Sequence, residues 1–563
     1  MIQNVIFKLH KSPNLVLRFV HEVGLSQFDL KCFCLAVVVV SCLKDNEPTL
    51  ELLKHGVGSN GFVVDKRMFD EIGVAWEKLG FPETTISAFD LVIRACCKLK
   101  KSNAAFGCFY YMKERGVLPQ IRICNDLLSS LIKQNDTEKA WVLYAEMFRL
   151  RIKSNVVTFN IMVNVLCKEG KLKKAKEFIE SMEYMEFKPN VITYNTLIQG
   201  YCTQGKLEQA KEVFDTMGSK GVHPDTFTYG TMITGLSKEG RLEEAVILFD
   251  EMPNKQLLPT TFTYNALIDG YCNKGDLGVA FMYRDEMVKK GIQPSSSTYN
   301  MLIHAVFMEG RIEKIELLIK EMKERSLGLD EITYNILING YCKEGNAKKA
   351  FDLHAEMLKK GIRPTKVTYT ALIYVLGKQH RMKEADKLFE QIIGKGVFPD
   401  LIMFNVLLDG HCVNGNMERA FMLLNDMDKK KVVPDEVTYN TLMQGLCRVG
   451  KVEEARGLLD EMRKRGIKPD HVSYNTLISG YSRKGDMDDA LRVRDEMLSR
   501  GFNPTRLTYN SLIQGLSKNK MGELAEELLN EMINNGIKPD DSTYFSLIDG
   551  AAPDRKLEET VGN

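Results

Sequence analysis

Apolar residues recur at helical spacing in two short runs separated by a glycine, and the arrangement then begins again. The segment Glu436–Asp470 is representative. Tyr439, Leu442, Met443 and Leu446 stand at i, i+3, i+4 and i+7, the stripe of an amphipathic helix. Gly450 interrupts the pattern. Val452, Ala455, Leu458, Leu459 and Met462 then repeat the stripe. Gly466 and Pro469 close it, since glycine serves as a C-cap and proline resists continuing a helix. The pattern predicts two helices joined by a turn, each apolar on one face. Such a hairpin cannot bury both faces alone, so neighbours must stack.

The hairpin recurs every 35 residues. Pro119, Pro189, Pro224, Pro259, Pro294, Pro364, Pro399, Pro434, Pro469, Pro504 and Pro539 share one register, broken only by Ser154 and Leu329. Eleven of the 16 prolines thus obey a single spacing, which chance does not produce. An alanine column runs from Ala105 to Ala525 with Ile315 as its exception. Seven residues later a methionine column runs from Met112 to Met532, interrupted by Ile392. The expected fold class is all-α, an α-solenoid of stacked helix–turn–helix repeats. The expected organisation has three parts. Residues 1–85 form an N-terminal helical region with degenerate repeats (Leu15–Val20, Met68–Ile72) or a cap. Residues 86–540 carry thirteen tandem repeats beginning at Ile86, and 541–563 a partial repeat with the polar tail Asp554–Asn563.

Composition narrows the function classes. With 44% hydrophobic and 27% charged residues the chain is neither disordered, collagen-like nor membrane-embedded. Lys+Arg 76 against Asp+Glu 74 leave a formal net charge of +2, so a basic surface must come from local arrangement. Seven of the 13 cysteines (Cys97, Cys167, Cys202, Cys272, Cys342, Cys412 and Cys447) share the 35-residue register and read as small buried side chains. No C-x-x-C motif occurs. The apolar run Cys32–Leu43, polar only at Ser41, is too short to span a bilayer and reads as a buried helix.

The units VITYNTLIQGYCTQGKLEQAKEVFDTMGSKGVHPD and HVSYNTLISGYSRKGDMDDALRVRDEMLSRGFNPT resemble pentatricopeptide repeats of the pure, 35-residue type. The stretch SPNLVLRF is similar to the start of the repeat region in plant mitochondrial members of that family. The resemblance covers nearly the whole chain. It implies a right-handed superhelix that binds single-stranded RNA sequence-specifically, one base per repeat, read by two or three side chains.

The fifth residue of each unit follows the core tyrosine and turns off the buried stripe. It is asparagine in ten of thirteen units: Asn125, Asn160, Asn195, Asn265, Asn300, Asn335, Asn405, Asn440, Asn475 and Asn510. Asparagine is a mediocre helix former, and its amide offers a donor and an acceptor to a base edge. The competing reading is a structural asparagine ladder between adjacent helices. In the family the second specificity position is the last residue of the unit. The resemblance then implies uracil for Asn195 with Asp225, Asn300 with Asp330, Asn405 with Asp435, Asn440 with Asp470 and Asn510 with Asp540. It implies a preference for cytosine for Asn125 with Asn155, Asn160 with Asn190 and Asn265 with Ser295, the first two with some tolerance for uracil. Asn335 with Thr365 and Asn475 with Thr505 would read pyrimidines loosely, and Thr370 with Asp400 guanine. Gly230 with Thr260, Asp90 with Gln120, and Phe545 in the unit at Asp541 carry no assignable base. The implied target from the unit at Ile121 is Y-Y-U-N-C-U-Y-G-U-U-Y-U, a pyrimidine-rich organellar transcript.

A basic column occupies the thirteenth position: Lys98, Lys133, Lys168, Lys238, Lys343, Lys378, Arg448, Arg483 and Lys518. Such a line of cations suits a phosphate backbone, although each also suits a helix C-terminus. Position two is mostly apolar (Val157, Ile192, Phe227, Phe262, Ile332, Val367, Val437 and Val472), with Arg122 and Ser297 departing, and in the family these residues sandwich bases.

No catalytic constellation is legible, and neither cofactor nor metal is expected. His354-Ala355-Glu356 matches the H-x-E of the zinc deaminase domain found in some family members, but no cysteine follows Cys447. No G-x-x-x-x-G-K-[ST] loop occurs. The expectation is a non-enzyme, monomeric and without membrane contact, acting in RNA processing, stability or translation with possible RNA-processing protein partners. The alternative is a tetratricopeptide-like interaction scaffold, whose period is about 34 with a tryptophan signature. Here the only tryptophans are Trp76 and Trp141. The first 21 residues contain Lys8, Lys11 and Arg18 and no acid, which is weakly like a presequence. The repeat-like region begins almost at Met1, so a longer transit peptide would precede it. The resemblance implies mitochondria, with the chloroplast as alternative.

Overall fold

Each pair of apolar stripes folds as two helices of about thirteen residues. In the representative segment these are Glu436–Arg448 and Val452–Lys464. The computed structural model describes residues 2–59, 61–80 and 88–551 of the chain. It divides into two units, Met1–Gln293 and Pro294–Asn563. In both, the described residues form helices and turns, without a strand. Ile86 and the tail Asp554–Asn563 lie outside the described residues.

Local chemistry sets the helix ends. Asp435 caps the helix Glu436–Arg448. Its carboxylate accepts the Thr438 N–H at 2.9 Å, while the Thr438 hydroxyl accepts the Asp435 N–H at 3.2 Å. The last residue of each segment is therefore the N-cap of the next first helix, a position that favours Asp, Asn, Ser and Thr. Gly466, at φ 76°, stops the second helix. The Ile467 N–H donates across it to the Met462 carbonyl at 3.0 Å. Pro469, expected to share in that stop, instead sits in the link just before the next N-cap, Asp470.

Stacking buries the stripes. Tyr439, Leu442, Met443, Leu446, Ala455 and Met462 are wholly buried, and the entire alanine column is at 0% exposure because the two helices of a hairpin meet there. First helices pack on first helices. In the first unit Val191–Thr203 touches Val156–Lys168 and Thr226–Lys238. In the second Glu436–Arg448 touches Leu401–Val413 and His471–Lys484. These contacts are close enough to require glycine. A Cβ on Gly480 would lie 2.6 Å from the Cys447 sulfur, and one on Gly200 2.7 Å from that of Cys167. The cysteine column thus supplies the small residue of a helix contact; Cys342, Cys412 and Cys447 are buried as expected, whereas Cys97, Cys167, Cys202 and Cys272 are only half-buried. Burial pushes the Cys447 thiol up to about 11 and that of Cys167 to about 12.

The apolar run near the N-terminus forms the helix Leu30–Val40, which packs against Ile2–Lys8, Pro13–Val23 and Lys66–Leu79. Nine of its residues are buried. Leu15–Val20 lies inside Pro13–Val23 and Met68–Ile72 inside Lys66–Leu79. The helix Glu47–Gly58 packs on Ala88–Lys98, so stacking of alternate helices extends upstream of Ile86. The sequence lacked register there because Glu47–Gly58 begins four residues ahead of the 35-residue frame that Lys66–Leu79 keeps. Among the described residues no helix is long and apolar enough to cross a membrane.

Candidate nucleic-acid interface

The fifth and last residues of a segment stand thirty positions apart in sequence, and stacking joins them. The Asn440 amide nitrogen donates to the Asp470 carboxylate at 3.1 Å, and its carbonyl accepts the Ser473 hydroxyl at 2.7 Å. The same Asp470 oxygen accepts the Ser473 N–H and hydroxyl, both at 2.9 Å. Asn125 with Asn155 and Thr158, Asn160 with Asn190 and Thr193, and Asn335 with Thr365 and Thr368 repeat the triangle. So do Asn405 with Asp435 and Thr438, and Asn510 with Asp540 and Thr543. The ladder weighed as a competing reading is therefore present. The fifth residue leaves its own stripe but does not reach open solvent, because the next first helix covers it: Asn440 is 6% exposed. Asn125, Asn160, Asn195 and Asn300 are also buried, whereas Asn265, Asn335, Asn405, Asn475 and Asn510 are half-buried. The last residues are more open. Asn155, Asn190, Asp225, Asp330 and Thr505 are exposed, and Ser295, Thr365, Asp400, Asp435, Asp470 and Asp540 half-buried.

The third residue of the following unit completes the triangle, and the sequence reading missed it. Its signal was the recurring Thr or Ser two positions before the fifth residue (Thr158, Thr193, Thr368, Thr438, Ser473, Thr508, Thr543). The pattern is not uniform. Asn195 donates to Asp225 at 3.3 Å, but its carbonyl oxygen is buried without a partner, as is that of Asn300. Asn475 accepts from Thr508 at 2.7 Å. Thr370 turns back to the Lys366 carbonyl at 2.8 Å, and the residue three after its partner Asp400 is Met403, which offers no hydroxyl.

The bonded pairs keep hydrogen-bonding groups for a ligand. In Asp470 one oxygen carries every bond described above, so the other is left as an acceptor, and Asn440 keeps one N–H. Where the last residue is Asn155 or Asn190, the leftover group is an amide N–H instead. Burial works to raise the Asp470 and Asp225 carboxyls. The N–H groups and hydroxyls of Ser473 and Thr228, with the two asparagine amides, outweigh it and hold both below the usual carboxylate range.

Beside these pairs stands an exposed apolar column: Val157, Ile192, Phe227, Phe262, Ile332, Val367, Val437 and Val472 are each about half exposed. Each thirteenth-position cation ends or nearly ends its first helix. Lys98, Lys133, Lys168 and Lys238 are exposed in the first unit, and Lys343, Lys378, Arg448, Arg483 and Lys518 in the second. Lys98 pairs with Glu47 at 3.3 Å, Lys168 donates to the Ile132 carbonyl at 2.8 Å, and Lys378 lies 5.5 Å from the Tyr374 ring centre.

The H-x-E match is structural. Glu356 accepts the Tyr334 hydroxyl at 2.8 Å and pairs with Lys360 at 2.9 Å, and burial lowers the His354 pKa. No cluster of side chains among the described residues could hold a metal ion.

Comparison with known proteins agrees with this architecture. A profile of the PPR repeat family matches residues 119–552 in overlapping segments, and a PPR repeat profile matches 87–117. A mitochondrial pentatricopeptide repeat-containing protein of Arabidopsis thaliana is 53% identical over 162 residues, 29% of this chain and 25% of that protein. Another, from the same plant and also mitochondrial, is 29% identical over 160 residues, 28% of this chain and 30% of that protein. The matched parts thus span only a quarter to three-tenths of these relatives. Among solved structures, maize PPR10 in complex with an 18-nt psaJ RNA element aligns at a TM-score of 0.53 and 21% identity, over 98% of this chain and 96% of that one. At that identity the likeness concerns the fold.

Proposed function

The chain belongs to the pentatricopeptide repeat family, and from that premise we propose that it is a sequence-specific single-stranded RNA-binding protein that reads one base per unit. The observation that carries this reading is the bonded pair of fifth and last residues. Ladder formation fixes both side chains and leaves one N–H and one carboxylate oxygen where the last residue is aspartate. Uracil offers the complement, a carbonyl acceptor beside a ring N–H donor. Cytosine has a ring acceptor at that point and suits the leftover amide N–H of Asn155 or Asn190. A ladder serving stability alone would not need the last residue to alternate between aspartate and asparagine, since both cap equally well.

Bases would stack between successive second-position side chains, and the thirteenth-position cations would hold phosphates. Thirteen repeats over 86–540 form the reading array, flanked by 1–85 and 541–563. The target is the pyrimidine-rich Y-Y-U-N-C-U-Y-G-U-U-Y-U. The protein acts as a monomeric binder rather than an enzyme, in a plant organelle, and the naming of two mitochondrial relatives supports the mitochondrion. The test is binding of the full chain to that 12-mer and to its purine-rich complement at matched salt. The expected preference for the 12-mer is about tenfold or more, the worth of one or two discriminating hydrogen bonds. Equal affinity refutes sequence-specific reading, and no binding to either favours a peptide scaffold.

A further inference from the structure

One register of the first unit has no side chain at all at its fifth position. Gly230 occupies the fifth position and Thr260 the last. Without an asparagine carbonyl to bond, the Thr263 hydroxyl turns to the Thr260 carbonyl at 2.9 Å. The vacated space is filled by an aromatic ring: a Cβ on Gly230 would lie 2.6 Å from Cδ1 of Phe262. Phe262 in turn faces Phe227, the second-position residue of the preceding first helix, Thr226–Lys238. Their ring centres are 6.0 Å apart and their planes 9° from parallel. A base stacked on both rings needs about 7 Å between them, twice the roughly 3.4 Å rise of stacked bases. The centre separation is the upper limit of the plane separation, so the slot is too thin.

We propose that the unit 226–260 is a closed register: Phe262 fills the slot that Gly230 leaves, and the nucleotide facing it passes with its base outside the protein. The inference rests on the one-base-per-unit reading and goes beyond a merely unread base, because a stacked but unread base would still contribute affinity. A closed slot gains nothing from the base at all. The bound RNA is then two read stretches separated by a nucleotide of any identity, and two such stretches define a target more loosely than one unbroken run.

The test places an abasic nucleotide in the matched RNA, either opposite unit 226–260 or opposite unit 191–225, where Asn195 and Asp225 form an intact pair. With a closed register the first substitution changes affinity by less than about twofold, while the second weakens it about tenfold or more, the worth of a stacked base. Equal losses at the two registers overturn the closed slot and leave the base-per-unit reading standing. No loss at either overturns that reading and the closed slot with it. Phe262 is 45% exposed, so Phe262→Ala leaves the core intact and opens the space. In that variant the abasic RNA binds several-fold more weakly than the intact one; continued indifference overturns the role given to Phe262.

Discussion

Changing Asp470 to asparagine separates capping from reading. Asparagine caps as well as aspartate, and its carbonyl can accept the Ser473 N–H and the Asn440 amide, now 2.9 and 3.1 Å from the carboxylate oxygen. Only the charge-assisted share of those bonds is lost, so stability falls by about 1 kcal/mol or less. The leftover oxygen, however, becomes an N–H. Uracil at that register loses a charge-assisted hydrogen bond of about 1.5–3 kcal/mol and meets donor against donor. That is about 10- to 150-fold in affinity at 1.4 kcal/mol per decade. Cytosine gains what uracil loses, as a neutral bond. The assay is fluorescence anisotropy on four oligonucleotides that differ only opposite the unit 436–470, with thermal unfolding run in parallel. Asp470→Ala serves as contrast. It removes the cap, worth about 0.5–2 kcal/mol, and strands the buried Asn440 amide, so its melting temperature falls clearly. If Asp470→Asn melts normally and still prefers uracil, Asp470 is a cap and nothing more, and the base assignment fails.

Three further outcomes follow from the same geometry. Replacing Lys343, Lys378 and Arg448 by glutamine flattens the salt dependence of binding by up to about 2 units, at roughly 0.7 per phosphate contact on a single strand; Lys289, Lys359 and Lys429, at the ends of second helices, serve as the control triple. Equal slopes from the two triples would reduce the column to helix capping. Gly480→Ala destabilises by about 1–3 kcal/mol through overpacking on Cys447, and adding Cys447→Ala recovers part of it; an unchanged melting temperature in the single variant would contradict the close helix contact. Asp225 and Asp470 are held below the usual carboxylate range, so what their charge contributes is fully present above about pH 4, the unfolded value. It is lost only as pH falls through the lower folded values. Uracil preference measured at pH 8, 6 and 5 should therefore be flat, and a decline between 6 and 5 would show that these carboxyls are not held down.

Much of the fold was legible because each repeat is a local object. Tyr439, Leu442, Met443 and Leu446 announce a helix within eight residues, Gly466 stops one, and the 35-residue spacing says the hairpins must share a core. Even the cysteine column could be read as packing, since Cys447 recurs in register where disulfide or metal ligands would pair locally. Less was legible upstream of Ile86. There the helices pack in the same alternate fashion, but the helix Glu47–Gly58 stands out of the 35-residue frame.

The candidate surface divides the same way. Sequence alone determined which residue types recur at the second, fifth, thirteenth and last positions, because a column is a property of spacing. Only the tertiary structure decided that the fifth and last residues are one hydrogen-bonded device, that Thr158 and its counterparts clamp it, and that Asn440 is nearly buried rather than open. These bonds link residues thirty or thirty-three apart on different hairpins, and a hydrogen bond exists only within about 3 Å. Stacking of one first helix on the next supplies that approach, as it brings the ring of Phe262 over Gly230 where no side chain stands in its way.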